Sequence, residues 1–475
     1  MTVQQTTQNP PVRGHWLSRI HLSLLVSIVT GLAGIYLMIW TPAGLSLEQG
    51  RAAGLTLATV GLLATGQLPE HLTALLFFLF AMLLDVAPSS VIFSGFSSAA
   101  LWMIFAGLVI ALAVKSTGLG ERLARSVALR LGGHYVVLIS GVLLVGLLLG
   151  FLMPSSMGRV VLLMPITLSL ADYFGFGPGS NGRTAVVLAA AFGTFVPAFA
   201  ILPANVPNMV LVGASETLFD IAPRYGEYLL LHFPVLGLLK SVVIVALIVW
   251  LYPDRPRSVS RDTVVAAHLS RQEWQLTWVL ALSLMFWLTD FIHHISPAWV
   301  ALAAALLLLL PRIGLISAKQ FNGEINYNPL FFVAGILGLG ALIAHSGLGA
   351  SLADYLTAVL PLKPGHNLLN FASLSIVSMV TGIVATLPGV PAVLTPLAEQ
   401  MAHSAGLPVK TVLMTQVLGF STTLFLYQAP PLVIAMQLAG EKTRPAIKLS
   451  LLLAVVTILV LLPVDYLWWR WLGWL

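Results

Sequence analysis

Four short clusters interrupt otherwise apolar stretches of this chain, and each carries groups suited to holding an anion or a cation. The first is Pro154-Ser155-Ser156-Met157-Gly158, with Arg159 directly behind it. The second is Pro203-Ala204-Asn205-Val206-Pro207-Asn208-Met209. The third is Thr386-Leu387-Pro388-Gly389-Val390-Pro391, and the fourth is Tyr427-Gln428-Ala429-Pro430-Pro431, preceded by Ser421, Thr422 and Thr423. Proline removes a backbone donor and breaks a helix. In an apolar setting the freed amides and carbonyls are tolerated only where they line a cavity or are buried by protein. Serine hydroxyls and the amides that open a helix suit the oxygens of an anion, whereas freed carbonyls and asparagine side chains suit a cation or a substrate oxygen. Arg159 adds a full positive charge, and an arginine inside a membrane is costly enough to be functional by default.

The substrate-binding set expected from these clusters is Ser155, Ser156, Met157, Arg159, Asn205, Pro207, Asn208, Thr386, Leu387, Pro388, Gln428, Ala429 and Pro430. Ser155, Ser156, Asn205 and Thr386 are the cation-binding candidates. The blander readings pair Arg159 with a carboxylate such as Asp172, or treat the prolines as kinks that only shape packing. The clusters are unequal. The first half offers hydroxyls and a cation; the second offers mostly backbone.

These clusters recur in a fixed order. Ser116-Thr117-Gly118-Leu119-Gly120 precedes the first and Met164-Pro165 follows it, while His345-Ser346-Gly347-Leu348-Gly349 precedes the third and Thr395-Pro396 follows it. Gly118 to Gly347 is an offset of 229 residues and Pro165 to Pro396 one of 231. Paired apolar segments, broken at matching places in two halves, mark the binding site of a secondary transporter.

Composition fits that reading. Of 475 residues 58% are hydrophobic and 8% charged, with a mean hydropathy of +0.95, against about 25% charged in soluble proteins. The chain has no cysteine, which excludes disulfides, thiolate metal sites and cysteine nucleophiles. The net charge of +6 is spread through loops, and no basic cluster alternates with aromatics, so a nucleic-acid partner is not expected. Spans of about 20 residues fall at 21–40, 52–66, 70–87, 98–116, 183–213, 228–252, 273–292, 297–311, 327–345, 409–439 and 446–468. With 134–175 and 365–403 as hairpins that enter and leave on one side, the chain makes eleven crossings. The basic residues alternate accordingly: Arg13, Arg19, Lys115, Arg122, Arg125, Arg130, Arg255, Arg257, Arg261, Arg271, Arg312, Lys319, Lys442, Arg444 and Lys448 fall on the cytoplasmic side. That places the N-terminus inside and the C-terminus outside.

The expected fold is an all-α polytopic membrane protein of two inverted repeats, each with a re-entrant hairpin and a broken helix. Residues 1–20 form a cytoplasmic segment, and 21–50 hold a first span, retained rather than cleaved, and its loop. Residues 51–252 are the first repeat, with hairpin 134–175 and broken helix 183–213. Residues 253–272 are a basic linker. Residues 273–475 are the second repeat, with hairpin 365–403 and broken helix 409–439. Residues 119–132 and 348–360 read as interfacial helices, and Trp468, Trp469, Trp471 and Trp474 as an aromatic belt.

The order of hairpin, interfacial helix, paired prolines and asparagine resembles the divalent anion:sodium symporter family of the ion transporter superfamily. Ser155-Ser156-Met157 and Thr386-Leu387-Pro388 stand where that family carries Ser-Asn-Thr, each ten residues before a proline. Asn205-Val206-Pro207-Asn208 and Ala429-Pro430-Pro431-Leu432 stand at its Thr-Pro-Pro-Asn breaks. The resemblance implies a dimeric carrier of dicarboxylates, citrate or sulfate in the inner membrane, working as an elevator, with no cofactor and with sodium or protons as coupling ion. Because most side-chain ligands of the second sodium site are missing here, Arg159 is expected to supply fixed positive charge instead, which favours exchange. A sodium symporter and an arsenite-type permease are the alternatives. Residues 21–87 and 228–311 would form the fixed scaffold.

Other classes fit less well. A channel needs a polar stripe along whole spans, and an intramembrane enzyme needs a base beside its nucleophile, which Ser155 lacks in its own half. Asp290, His293 and His294 read as an interfacial turn, not a metal site.

Overall fold

The computed structural model describes residues 16–42, 44–122, 134–153, 155–256, 269–312 and 314–475. Every regular element among them is helical. Among the described residues seven helices are long and apolar enough to cross a bilayer: Ala99–Thr117, Tyr135–Leu152, Asn181–Ala200, Tyr225–Leu251, Asn328–His345, Asn367–Ala385 and Arg444–Trp471. Two of these, Tyr135–Leu152 and Asn367–Ala385, are hairpin arms. The described residues also hold four shorter apolar helices: Ser23–Ile39 and Glu70–Leu83 precede the long ones, and Pro297–Leu309 and Val409–Phe420 lie among them.

The first two helices, Trp16–Ile39 and Leu47–Thr65, pack along each other through glycine. A methyl group added to Gly54 would sit 2.3 Å from the carbonyl oxygen of Gly34, so only glycine permits this approach. Ser46 and Gln49 form a reciprocal capping box that fixes where the second helix starts. The outward face of the first carries leucine, isoleucine and valine in the open, as a lipid-facing surface does.

The two halves then use the same parts in the same order. In the first, hairpin arms Tyr135–Leu152 and Ser156–Tyr173 are followed by helix Asn181–Phe195, a break, helix Val206–Phe219, and the long Tyr225–Leu251 helix. In the second, arm Asn367–Ala385, short helices Gly389–Leu394 and Ala398–Ala405, helix Val409–Phe420, a break, helix Pro430–Leu438 and the long Arg444–Trp471 helix follow. In both, the first arm packs on the helix that leads into the break, again through glycine. A methyl on Gly146 would lie 2.6 Å from the carbonyl carbon of Gly193, and one on Gly419 would lie 2.1 Å from Ser378. Each long closing helix contains a wider π-turn segment, Phe233–Leu239 and Thr457–Leu461, and the two segments touch.

Several expectations change in detail. The first break spans residues 196–205, earlier than the Pro203–Met209 cluster, because Pro197 ends helix Asn181–Phe195. Pro207 and Asn208 instead sit in the first turn of Val206–Phe219, where proline is favoured. Trp469 is fully buried against Phe371 and His232, so it belongs to the core and not to an aromatic belt. A helix, Leu348–Val359, occupies the stretch 348–360 expected to be interfacial, with Tyr355 and Val359 exposed. From residue 123 on, the one expected at 119–132 lies outside the described residues, as do residues 1–15 and 257–268.

Candidate anion and cation site

The first hairpin turns at Met153 and Ser155, with Pro154 outside the described residues. Ser155 caps the second arm: its Oγ accepts from the Gly158 amide at 3.1 Å, which leaves the neighbouring first-turn amides unclaimed by a side-chain cap. Ser155, Ser156, Met157 and Gly158 are all half-buried at this tip. Arg159, one turn in, is completely buried.

The arginine's surroundings are backbone oxygen. Nε donates to the Thr194 carbonyl at 3.1 Å and Nη2 to the same oxygen at 2.9 Å. Nη1 donates to the carbonyls of Met153 and, at 3.0 Å, Ala204. Nη2 also donates to Ser156 Oγ at 2.9 Å. All five guanidinium N–H groups therefore have acceptors. Met153 ends the first hairpin arm and Thr194 lies in the last turn of Asn181–Phe195, so both carbonyls belong to helix C-termini, the negative ends of the helix dipoles. Ala204 lies in the break itself. No carboxylate pairs with Arg159 among the described residues. Asp172, its expected partner in the blander reading, is bound by Arg183 at 2.5 Å.

Two asparagines build the rest of this half-site. Asn205 caps the second half-helix, its Oδ1 accepting from the Asn208 amide at 3.0 Å. Asn208 Nδ2 is shared among the carbonyls of Ala198, Phe199 and Ile201, at 3.3, 3.2 and 2.9 Å, and so pins the whole break. Asn205 Nδ2 and Asn208 Oδ1 are buried without a protein partner, one a free donor and the other a free acceptor. Burying such groups unpaired costs about 1–3 kcal/mol each.

The second half-site is leaner. Thr386 ends the arm at φ +64° and ψ 165°, a conformation normally left to glycine, and its half-buried hydroxyl has no hydrogen bond. Leu387 is buried, and Pro388 is half-buried at the start of Gly389–Leu394. Gln428 is spent on structure: its Oε1 accepts from the Leu424 and Phe425 amides at 3.0 and 2.8 Å, and its Nε2 donates to the Gly382 carbonyl at 2.8 Å. Ala429 caps Pro430–Leu438, with Pro430 at its first position. The halves interlock crosswise. The second arm of hairpin one packs on Pro430–Leu438, and Gly389–Leu394 packs on Val206–Phe219.

The profile of the family described as "Sodium:sulfate symporter transmembrane region" matches residues 19–475. The chain belongs to this family. It is a membrane transporter of small anions and not an enzyme. A protein of Escherichia coli K12 described as "Inner membrane protein YbhI" is 22% identical over 455 residues, 91% of this chain and 94% of that one. The "L-tartrate/succinate antiporter" of the same strain is 24% identical over 287 residues, which is 55% of this chain and 57% of the antiporter. A "Membrane protein" of Cupriavidus necator is 24% identical over 393 residues, 80% of this chain and 76% of that protein. The solved YdaH transporter of Alcanivorax borkumensis superposes with a TM-score of 0.55 at 14% identity, covering 96% of this chain and 99% of that one, a likeness of fold.

The structure thus gathers Ser155, Ser156, Met157, Arg159, Asn205, Pro207 and Asn208 around one tip and break, and Thr386, Leu387, Pro388, Gln428, Ala429 and Pro430 around the other. A lysine and an aspartate absent from the expected set also lie fully buried in the closing helices, Lys240 and Asp465. Each is the lone charge deep in its apolar run, which is a readable signal in itself.

Proposed function

We propose that this family member is a sodium-independent exchanger of small organic or inorganic dianions, of the di-/tricarboxylate or sulfate class, in which Arg159 is a built-in cation. The observation that carries this reading is the carbonyl cage. Met153, Thr194 and Ala204 present the kind of converging oxygens that would hold a metal cation, and the guanidinium already fills them. The positive charge stays with the protein when substrate leaves. Substrate oxygens would then meet the half-buried hydroxyls and first-turn amides of Ser155 to Met157, the free Asn205 Nδ2, and the free hydroxyl of Thr386. Gln428, Pro207 and Pro430 shape the breaks rather than touch substrate.

One specific observation favours the sodium-coupled alternative. Asn208 Oδ1 is a buried acceptor with no donor, and with Thr386 Oγ1 it could ligate a small cation in place of substrate. The two readings separate on trans-stimulation. An exchanger takes up labelled succinate many times faster into vesicles loaded with unlabelled succinate than into empty ones. A symporter fills empty vesicles.

For the movement itself we infer an elevator, with hairpins and broken helices crossing as a unit past a fixed frame. The Tyr225–Leu251 helix joins the moving unit and not the frame, since Lys240 Nζ donates 3.0 Å to the Ser421 carbonyl at the second break and the helix packs on the first hairpin. Eleven crossings, an internal N-terminus, an external C-terminus, an inner-membrane location and a homodimer complete the proposal.

A further inference from the structure

Lys240 and Asp465 lie in the two closing helices, beside the touching π-turn segments Phe233–Leu239 and Thr457–Leu461. Lys240 follows the first segment directly, and Asp465 lies four residues beyond the second. Both are fully buried. No salt bridge joins them. The lysine's ammonium reaches the carbonyl of Ser421, which caps the C-terminal, negative end of Val409–Phe420. A cavity of about 10 Å³ beside it, enough for one water, is lined by Ser421, Thr422, Thr423, Ser450 and Thr457. Asp465 Oδ1 has no protein donor, and neither does the hydroxyl of Thr423.

A buried carboxylate with an unmet oxygen is expensive as an anion and much cheaper once protonated. The groups around it are few. From Tyr225–Leu251, Tyr228 donates to the Phe199 carbonyl and Glu227 is bound to Lys410. His232, tilted against Tyr228 at 4.5 Å and edge-on to Trp469 at 5.6 Å, has both ring nitrogens unpartnered. Arm Asn367–Ala385 brings no titratable side chain. Arg183 is held by Asp172, and Tyr427 donates to the Ile383 carbonyl. On the aspartate's own helix Arg444, Lys448 and Arg470 are exposed, and Tyr466 packs on Phe371. Lys240 is therefore the buried cation on the helix that packs beside the aspartate's own.

Resting on the exchanger reading above, we propose that Asp465 is the transporter's proton site and that one proton travels with each bound dianion. Charge counting gives the reason. With the closing helix that carries Asp465 moving together with Tyr225–Leu251, whose π-turn segment it touches, the fully buried charges of the moving unit among the described residues are Arg159, Lys240 and Asp465. With Asp465 ionised they sum to one positive charge, and a dianion leaves the unit negative. With Asp465 protonated they sum to two, and the loaded unit is neutral. The step is a simple association in which the carboxylate takes a proton from water and no other bond changes. Loaded, the unit crosses an apolar barrier without net charge. Empty, it stays charged and is held back, which makes exchange obligatory.

The test is isothermal titration of the purified full-length protein with succinate, in buffers of different ionisation enthalpy, at a pH where succinate is a dianion. Wild type is expected to take up close to one proton per succinate bound, D465N close to none, and D465E the wild-type number. Succinate/succinate exchange in vesicles should also slow several-fold as pH rises on both sides, because Asp465 then loses its proton. Succinate binding by wild type without proton uptake would overturn the proposal, as would D465N matching wild type. Absence of any anion binding or exchange by wild type would instead remove the transporter reading on which it rests.

Discussion

Arg159 gives two hydrogen bonds to a single oxygen, the Thr194 carbonyl, from Nε at 3.1 Å and from Nη2 at 2.9 Å. One side chain thereby ties the second hairpin arm to the helix that leads into the first break. Through Met153 and Ala204 it also holds the hairpin turn and the break loop. A glutamine has two donors and no charge, so Arg159→Gln leaves buried carbonyls unmet beside two negative helix ends. The variant should lose exchange entirely and about 1–3 kcal/mol of stability for each buried carbonyl left without a donor. Arg159→Lys keeps the charge but not the planar fork, and should retain a measurable fraction of exchange. Vesicle exchange and thermal unfolding in detergent check both.

Asn208 Nδ2 serves three carbonyls of the break. Asn208→Ala should cost about 1–3 kcal/mol and abolish exchange. Asn208→Asp exchanges the donor for acceptors facing those carbonyls and should be worse than alanine. Thermal unfolding of the two variants ranks them.

Thr386 holds φ +64° with ψ 165° at the second tip. Such strain costs about 1–3 kcal/mol in a residue other than glycine. Thr386→Gly should therefore raise the melting temperature while weakening succinate binding, because the free hydroxyl goes with the strain. A variant that gains stability and keeps full affinity would show that the hydroxyl does not meet substrate.

Lys410 and Glu227 form the contrasting pair. Their 2.6 Å contact is about one-third exposed on each side, with Lys410 also over the ring of Trp474. Glu227→Gln should change stability by only about 0.2–1 kcal/mol, and exchange should be close to normal. An ion pair at the rim and an arginine in the carbonyl cage differ because of solvent, not because of distance.

Much of this was legible in the sequence. The offset between Gly118 and Gly347 predicted two halves with the same parts, and Pro388 and Pro430 marked where the helices of the second half start again. Proline acts locally, so its consequences can be read locally. Two kinds of fact were not legible. Where a break begins depends on which proline the packing honours: Pro197 ended the helix before Pro203 could. Which oxygens a side chain meets depends on long-range approach. Arg159 read as a charge aimed at substrate, while the fold turns it towards Thr194 and Ala204, 35 and 45 residues away. Trp469 read as a belt residue because it stands among three other tryptophans, and a period-3.6 count there would have turned it inward, away from exposed Trp471. Lys240 carries a legible signal as a lone charge deep in an apolar run, but it stands outside every broken motif.

The central claim is that Arg159 replaces a bound cation, and sodium dependence tests it most directly. Labelled succinate uptake into proteoliposomes preloaded with unlabelled succinate should be measured in sodium and in choline salts at equal ionic strength. Equal rates in the two salts are the predicted result. Uptake in sodium alone would contradict it, and would mean that Asn208 and the tip backbones still build a working cation site beside the arginine.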